Sequence, residues 1–241
     1  MFMFKHNKKL IIIFLSAFFF VGLCLYVLFI VGDFTNVSPY LDKNAIKYSV
    51  VVLSFVFSLL SFLFVAKEKK DILHISLLAI GLLITSVSDF ILVIINKYYE
   101  IAVGIFIFAH IAYFIMEIFL FGYKEKEVII YTSIRLALTI IGLIILAATN
   151  IITLLYALVI IYLVELVMNC AQAFIYFFKT KRIDILILAI GFLLFIGCDI
   201  FVGLDNTIYR GIYIIAWLFY FPSQLLIASS YLFDKIINTK E

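Results

Sequence analysis

The chain has 241 residues, of which 67% are hydrophobic and only 14% are charged. Soluble domains are nearer half apolar and a quarter charged, so this composition excludes an ordinary soluble protein and predicts a polytopic membrane protein. The net charge of +3, with no basic patch interleaved with aromatic residues, argues against a nucleic-acid partner.

Eight apolar segments are long enough to cross a bilayer, which takes about 20 helical residues. They cover residues 10–32, 46–66, 72–95, 101–121, 128–147, 151–178, 183–204 and 211–233. The first is too long for the apolar region of a signal peptide and no cleavage site follows it, so we expect an uncleaved helix. The connections are short. The sequence therefore predicts an all-α fold, with one transmembrane domain over residues 1–241.

Basic residues predict the orientation of these helices. Thirteen lysines and arginines lie in the two terminal segments and in the loops after helices 2, 4 and 6, against four on the other side. Lysine and arginine are enriched in cytoplasmic loops. We therefore expect an integral protein of a bacterial cell membrane with both termini in the cytoplasm.

Two similar segments each carry an aspartate inside an apolar run. Residues 79–96 read AIGLLITSVSDFILVIIN and residues 189–206 read AIGFLLFIGCDIFVGLDN, with six of 18 positions identical and Asp89 aligned with Asp199. An acid within hydrocarbon is costly unless it is paired or hydrated, so each indicates a functional site. Helices 3 and 7 run in the same direction. This predicts a parallel internal duplication of helices 2–4 and 6–8, with both aspartates at similar depth.

The surroundings of the two aspartates differ in the sequence. Thr85 and Ser86 precede Asp89 by four and three residues and share its helix face, whereas apolar residues take the corresponding positions before Asp199. We therefore expect Asp199 to be more desolvated and to favour its protonated form, and Asp89 to stay ionised more easily. Two carboxyls that differ in this way can supply an acid and a base in one site.

Three further helices carry polar stripes that either line a cavity or bond to neighbouring helices. The stripes are His110, Tyr113 and Glu117 on helix 4; Tyr162, Glu165, Asn169 and Gln172 on helix 6; and Tyr220, Ser223 and Gln224 on helix 8. His110 can be either structural or catalytic. We expect Glu117 to pair with Arg135 across the hairpin between helices 4 and 5, and Glu165 to line a cavity because no cation is evident near it. Pro222 should free the carbonyl of Leu218 and kink helix 8.

A metal site has little support in the sequence. Imidazole-rich zinc sites need several histidines, and His110 is the only one deep in a predicted span. The cysteines Cys24, Cys170 and Cys198 lie in apolar runs without metal-ligand spacing. No predicted helix carries a mid-span lysine for a retinal Schiff base. We therefore predict neither a metal nor a cofactor.

Four motifs follow one another in a fixed order along residues 72–233. They are Gly81, Leu82, Thr85 or Ser86, Asp89 and Leu92; then Gly104, Phe108, Ala109, His110 and Tyr113; then Gly191, Phe195, Cys198 and Asp199; then Tyr220, Gln224, Leu226, Ile227 and Ser230. This ordered set resembles the YhhN-like lysoplasmalogenase family of eight-span membrane proteins. Ser88, Cys198 and Ser223 depart from the residues usual in that family. Both carboxylates, the histidine and the glutamine are kept.

The resemblance implies hydrolysis of the vinyl ether bond of a lysoplasmalogen to a fatty aldehyde and a glycerophospho-ethanolamine or -choline. Such a reaction needs a protonated general acid, and a carboxylate that stabilises the cation and activates water. On this interpretation Asp199 is the acid and Asp89 the base, or the reverse, and His110 and Gln224 orient water or a carboxyl. The expected substrate-binding residues are Tyr113, Tyr220, Ser223, Gln224 and Glu165.

The expected partners are a lysophospholipid substrate and membrane lipids, and the oligomeric state is not predicted. A proton-coupled transporter or a lipid-binding membrane protein is the main alternative, because paired intramembrane carboxylates also suit transport. Transporter repeats usually contain helices broken by Gly or Pro, whereas only Pro222 interrupts a helix here. A structural helix bundle without activity is the third interpretation.

Overall fold

The computed structural model describes residues 8–35, 42–64, 69–149, 151–207 and 211–238. Within these ranges there are no strands, and the main elements are eight α-helices. They are α1 (Lys8–Thr35), α2 (Lys43–Ser61), α3 (Lys69–Asp89), α4 (Tyr99–Phe121), α5 (Glu125–Ala148), α6 (Leu154–Thr180), α7 (Ile183–Thr207) and α8 (Tyr213–Asn238). All eight are long and apolar enough to cross a membrane. The structure confirms the predicted all-α class and the number of spans.

Three helical segments end at a residue with positive φ, which breaks the helical hydrogen-bond pattern. Asn96 (φ 52°) follows the segment Phe90–Ile95, in which α3 continues as a π-helix directly after Asp89. Gly122 (φ 66°) ends α4 and Lys181 (φ 57°) ends α6. A π-helical turn often lies beside a functional site, because the extra residue redirects the side chains around it.

Six of the helices form a closed ring in the order α2, α3, α4, α6, α7, α8 and back to α2. In this ring α3 and α7 lie opposite each other, so the two helices that carry the aspartates face across its interior. Helix α1 packs outside the ring against α2 and α8, and α5 packs outside it against α6. The internal duplication itself remains a prediction.

Two glycines allow close packing between neighbouring helices. Gly81 of α3 lies against the Tyr113 ring of α4, which a Cβ at this position would overlap. Gly191 of α7 lies against α8, where an added Cβ would be 2.7 Å from Cγ1 of Ile227 and 3.2 Å from its backbone nitrogen. A larger residue at Gly81 requires the Tyr113 ring to shift, whereas one at Gly191 also meets the backbone of α8.

Pro222 lies inside α8 and removes one backbone donor from it. The Tyr26 hydroxyl of α1 donates to the carbonyl oxygen of Leu218 at 3.5 Å. The carbonyl that we expected the proline to free is therefore bonded by a side chain of another helix. The kink stays a prediction.

Candidate active site

The two intramembrane aspartates each accept a hydrogen bond from a tyrosine of a different helix. Tyr220 of α8 donates to Oδ2 of Asp89 on α3. Tyr162 of α6 donates to Oδ2 of Asp199 on α7 at 2.6 Å. The two carboxyls are also close enough to interact electrostatically. Four helices of the ring thus contribute to one polar centre, in which each carboxyl has a neutral donor.

The hydroxyl groups that we expected beside Asp89 bond to other partners. Thr85 shares a hydrogen bond with Tyr113 (3.3 Å between the two oxygens), and Ser86 shares one with Tyr48 of α2 (3.2 Å). Neither hydroxyl bonds to the carboxyl that follows it in the chain. Helical spacing predicted that both hydroxyls share a helix face with Asp89, but each one bonds a tyrosine of a neighbouring helix instead of the carboxyl.

The predicted order of desolvation is wrong. Asp89 has only 4% of its surface exposed, whereas Asp199 is partly buried. Phe195, one helical turn before Asp199, packs its ring edge to face on Tyr220 of α8, with 5.1 Å between the centroids. Local sequence therefore does not decide which carboxyl is the acid.

His110 is fully buried beside Tyr162, the tyrosine that bonds Asp199. Its ring centroid lies 5.2 Å from that of Tyr162 and 5.5 Å from that of Phe195. Asn169 of α6 donates from Nδ2 to the His110 carbonyl at 2.9 Å, and its Nδ2 lies 3.5 Å from Nδ1 of the ring. Nε2 has no hydrogen-bond partner in the parts of the chain that the structure describes. This nitrogen is thus available to a water molecule or a substrate.

Gln224 is also fully buried and lies one helical turn after Tyr220 on α8. Both atoms of its amide lack a partner within the described ranges, so they can bind water or substrate. Its neighbour Ser223 instead donates to the carbonyl of Tyr220 at 2.8 Å. The hydroxyl of Ser223 is therefore used within its own helix.

Glu165 has a cation that the sequence interpretation did not assign to it. The Arg135 guanidinium reaches from α5 to three side chains of α6: Oε2 of Glu165 at 2.5 Å, Oδ1 of Asn169 at 2.8 Å and Oε1 of Gln172 at 2.6 Å. Its carbon lies 3.9 Å from the Phe114 ring centroid of α4. The expected Glu117–Arg135 pair is wrong, because the guanidinium hydrogen bonds go to α6.

Of the proposed substrate-binding residues, Tyr220 bonds Asp89, and Tyr113 bonds Thr85 on the helix that carries Asp89. Gln224 lies one turn after Tyr220, while Glu165 belongs to the Arg135 network. Sequence reasoning assigned no role to Tyr162, although it begins the polar stripe of α6. No group of three or more His, Cys, Asp or Glu residues that could hold a metal ion occurs among the described residues. The site thus consists of two carboxyls with phenol donors, an imidazole and a free amide, which suits acid–base chemistry.

Comparison with known proteins identifies the family. A family model described as the YhhN family matches residues 43–231, which include the carboxyl pair, both tyrosines, His110 and Gln224. No curated protein matches the chain, and no solved structure matches it. The matched region covers most of the chain and seven of the eight helices. The chain therefore belongs to the YhhN family.

Proposed function

We propose that this protein is an intramembrane hydrolase that cleaves the vinyl ether bond of lysoplasmalogens. The observation that carries the proposal is the carboxyl pair inside the ring, in which Asp89 and Asp199 interact and each accepts a phenol hydrogen bond. An ionisable side chain inside a membrane is unfavourable in free energy, so the presence of two favours a functional role for both. The family assignment and the motif resemblance support the same reaction class.

The reaction needs one acid and one base in the same site. One carboxyl gives its proton to the vinyl carbon that does not bear the ether oxygen, which leaves an oxocarbenium ion. The other, as a carboxylate, stabilises this cation and takes a proton from the water that attacks it. The hemiacetal then loses its hydroxyl proton while the bond to the glycerol oxygen breaks and that oxygen is protonated. The products are a fatty aldehyde and a glycerophosphodiester.

We assign the acid and the base roles to Asp89 and Asp199 jointly, without giving either role to one of them. The assignment of the acid to Asp199 depended on its greater desolvation, which the structure does not show. Tyr220 and Tyr162 hold the carboxyls in place, and the free Nε2 of His110 and the amide of Gln224 supply positions for the attacking water. The substrate is a lysophospholipid that reaches the ring from the surrounding lipid. Both termini lie in the cytoplasm in this proposal.

The direct test is to incubate the purified protein with a lysoplasmalogen and to measure the released aldehyde by mass spectrometry. A saturated ether lysolipid of the same chain length is the matched control substrate, because it has no vinyl carbon to protonate. We expect aldehyde from the first lipid alone. Failure of folded, monodisperse protein to release aldehyde would refute the hydrolase and favour a transporter or a lipid-binding protein.

A further inference from the structure

A second polar cluster lies between α4, α5 and α6, and it is separate from the carboxyl pair. It consists of Glu117, Arg135 and Gln172, which we call the inner polar cluster; their exposed fractions are 0%, 4% and 0%. Within the described part of the chain, both carboxyl oxygens of Glu117 lack a hydrogen-bond partner. The same holds for Nε of Arg135 and Nε2 of Gln172. Four buried polar atoms in one place are therefore unsatisfied.

The described residues provide no hydrogen-bond partner for these four atoms. A buried polar atom without a partner destabilises the fold by about 1–3 kcal/mol, and more if it is charged. Buried waters typically make about three hydrogen bonds to groups of this kind. The inner polar cluster offers two N–H donors and two carboxyl oxygens, and Glu117 and Arg135 interact electrostatically without a direct hydrogen bond. Water molecules are able to supply partners for all four atoms.

Hydrogen bonds and one ring contact connect this cluster to the carboxyl site. Arg135 bonds Gln172 and also Asn169, and Asn169 donates to the carbonyl of His110. His110 in turn lies beside Tyr162, which bonds Asp199. Tyr162, Asn169 and Gln172 share one face of α6 and span ten positions, or about 15 Å at 1.5 Å per residue.

The position of the cluster suits water supply. Glu117 lies one turn before the end of α4, at the end of the ring that carries the α4–α5 connection. The reaction consumes one water molecule per turnover, whereas the sides of the ring face lipid. Polar side chains leading inward from a helix end provide a hydrated route that hydrocarbon does not.

We infer that the inner polar cluster is a water-binding site from which the carboxyl pair is supplied with the water that it consumes. The supply role rests on the proposed function, whereas the water site does not. Glu117 is in this view neither an acid nor a base of the reaction. It acts as an acceptor that holds water between α4 and α6.

Two variants of one residue provide the test. Glu117→Gln keeps two polar atoms that bind water, whereas Glu117→Leu replaces them with methyl groups of similar volume. Synchrotron hydroxyl-radical labelling, in which bound water is the source of the radical, reports water next to a side chain without any substrate. Phe114 of α4 is the reporter, because it is buried and its ring centroid lies 3.9 Å from the guanidinium carbon of Arg135. Cys24, which is exposed on α1, is the internal reference.

We expect the ratio of Phe114 to Cys24 oxidation to fall at least threefold in Glu117→Leu and to stay within twofold in Glu117→Gln. Aldehyde release should fall at least tenfold in the leucine variant and less than threefold in the glutamine variant. Gln172→Leu should give the same labelling result, so that a folding failure of one variant leaves the test intact. All variants are first checked by size exclusion and thermal unfolding.

Equal Phe114 labelling in the folded leucine variants and the wild type would show a dry cluster and overturn the inference. Loss of labelling with unchanged aldehyde release would overturn the supply role. If the wild type releases no aldehyde at all, the proposed function fails, while the labelling result still decides whether the cluster binds water. Failure of one proposal is thus distinguishable from failure of the other.

Discussion

The hydroxyl of Tyr220 donates to the carboxyl of Asp89, 131 positions away in the chain, and this bond joins α8 to α3 inside the ring. The bond lies in the interior, where Asp89 is 4% and Tyr220 3% exposed. Hydrogen bonds to charged groups contribute about 1.5–3 kcal/mol, so this phenol has a large influence on how the carboxyl is held and ionised.

Tyr220→Phe removes that donor and keeps the ring. We expect aldehyde release to fall about 10- to 150-fold, which is the loss of about 1.5–3 kcal/mol expressed as a rate. Tyr48→Phe is the matched control, because its hydroxyl bonds Ser86 and not a carboxyl. An equal loss in both variants would show that the effect is a general one of removing a buried phenol.

Asp89→Asn and Asp199→Asn should each abolish most turnover, by about 100- to 10,000-fold, since each removes one partner in proton transfer. Turnover by the double variant should be within a few-fold of turnover by the less active single variant, because the effects of residues that act as a unit are not additive. The measurement is aldehyde release by protein with wild-type elution in size exclusion. Multiplied losses in the double variant would contradict a joint role.

Arg135→Met leaves Glu165, whose side chain is 15% exposed, without its cation. We expect the free energy of unfolding to fall by about 3–5 kcal/mol, as found when one partner of a buried pair is removed. The variant Arg135→Met with Glu165→Gln should recover part of that loss, because Glu165 then carries no unpaired charge.

Lys235→Met is the control for Arg135→Met. Lys235 bonds Asp71 at 2.7 Å near the end of the bundle, where its side chain is 21% exposed. A pair of this kind contributes about 1 kcal/mol or less. Reversible denaturation in detergent measures all these variants. A loss for Arg135→Met no larger than that of Lys235→Met would show that the α5–α6 network is not a stability element.

Gly191→Ala should destabilise the protein by about 1–3 kcal/mol through overpacking, because the added methyl meets both the Ile227 side chain and the α8 backbone. Gly104→Ala is the matched control, since no atom lies within 4 Å of a Cβ there. Alanine at that helical position should be neutral or stabilising by up to about 1 kcal/mol. Thermal unfolding of the two variants decides the comparison, and equal melting temperatures would contradict the close α7–α8 contact.

Some features of this protein follow from the sequence because they depend on local composition. An apolar run of about 20 residues has few alternatives to a transmembrane helix, so all eight spans were predicted to within a few residues. The two acidic positions were recognisable for the same reason: Asp89 and Asp199 interrupt runs that are otherwise apolar. Pro222 likewise predicted that the carbonyl of Leu218 lacks its helical hydrogen bond.

The tertiary structure decided which side chains meet. Periodicity gives the face of one helix but not its neighbour, so Thr85 was expected beside Asp89 and instead bonds Tyr113. Arg135 was expected to bond back to α4 and instead bonds α6, because α5 packs against α6 outside the ring. The sequence by itself determined how many helices there are and which carry acids. Their order around the ring, a matter of packing between distant segments, decided that the two acids face each other and which tyrosines bond them.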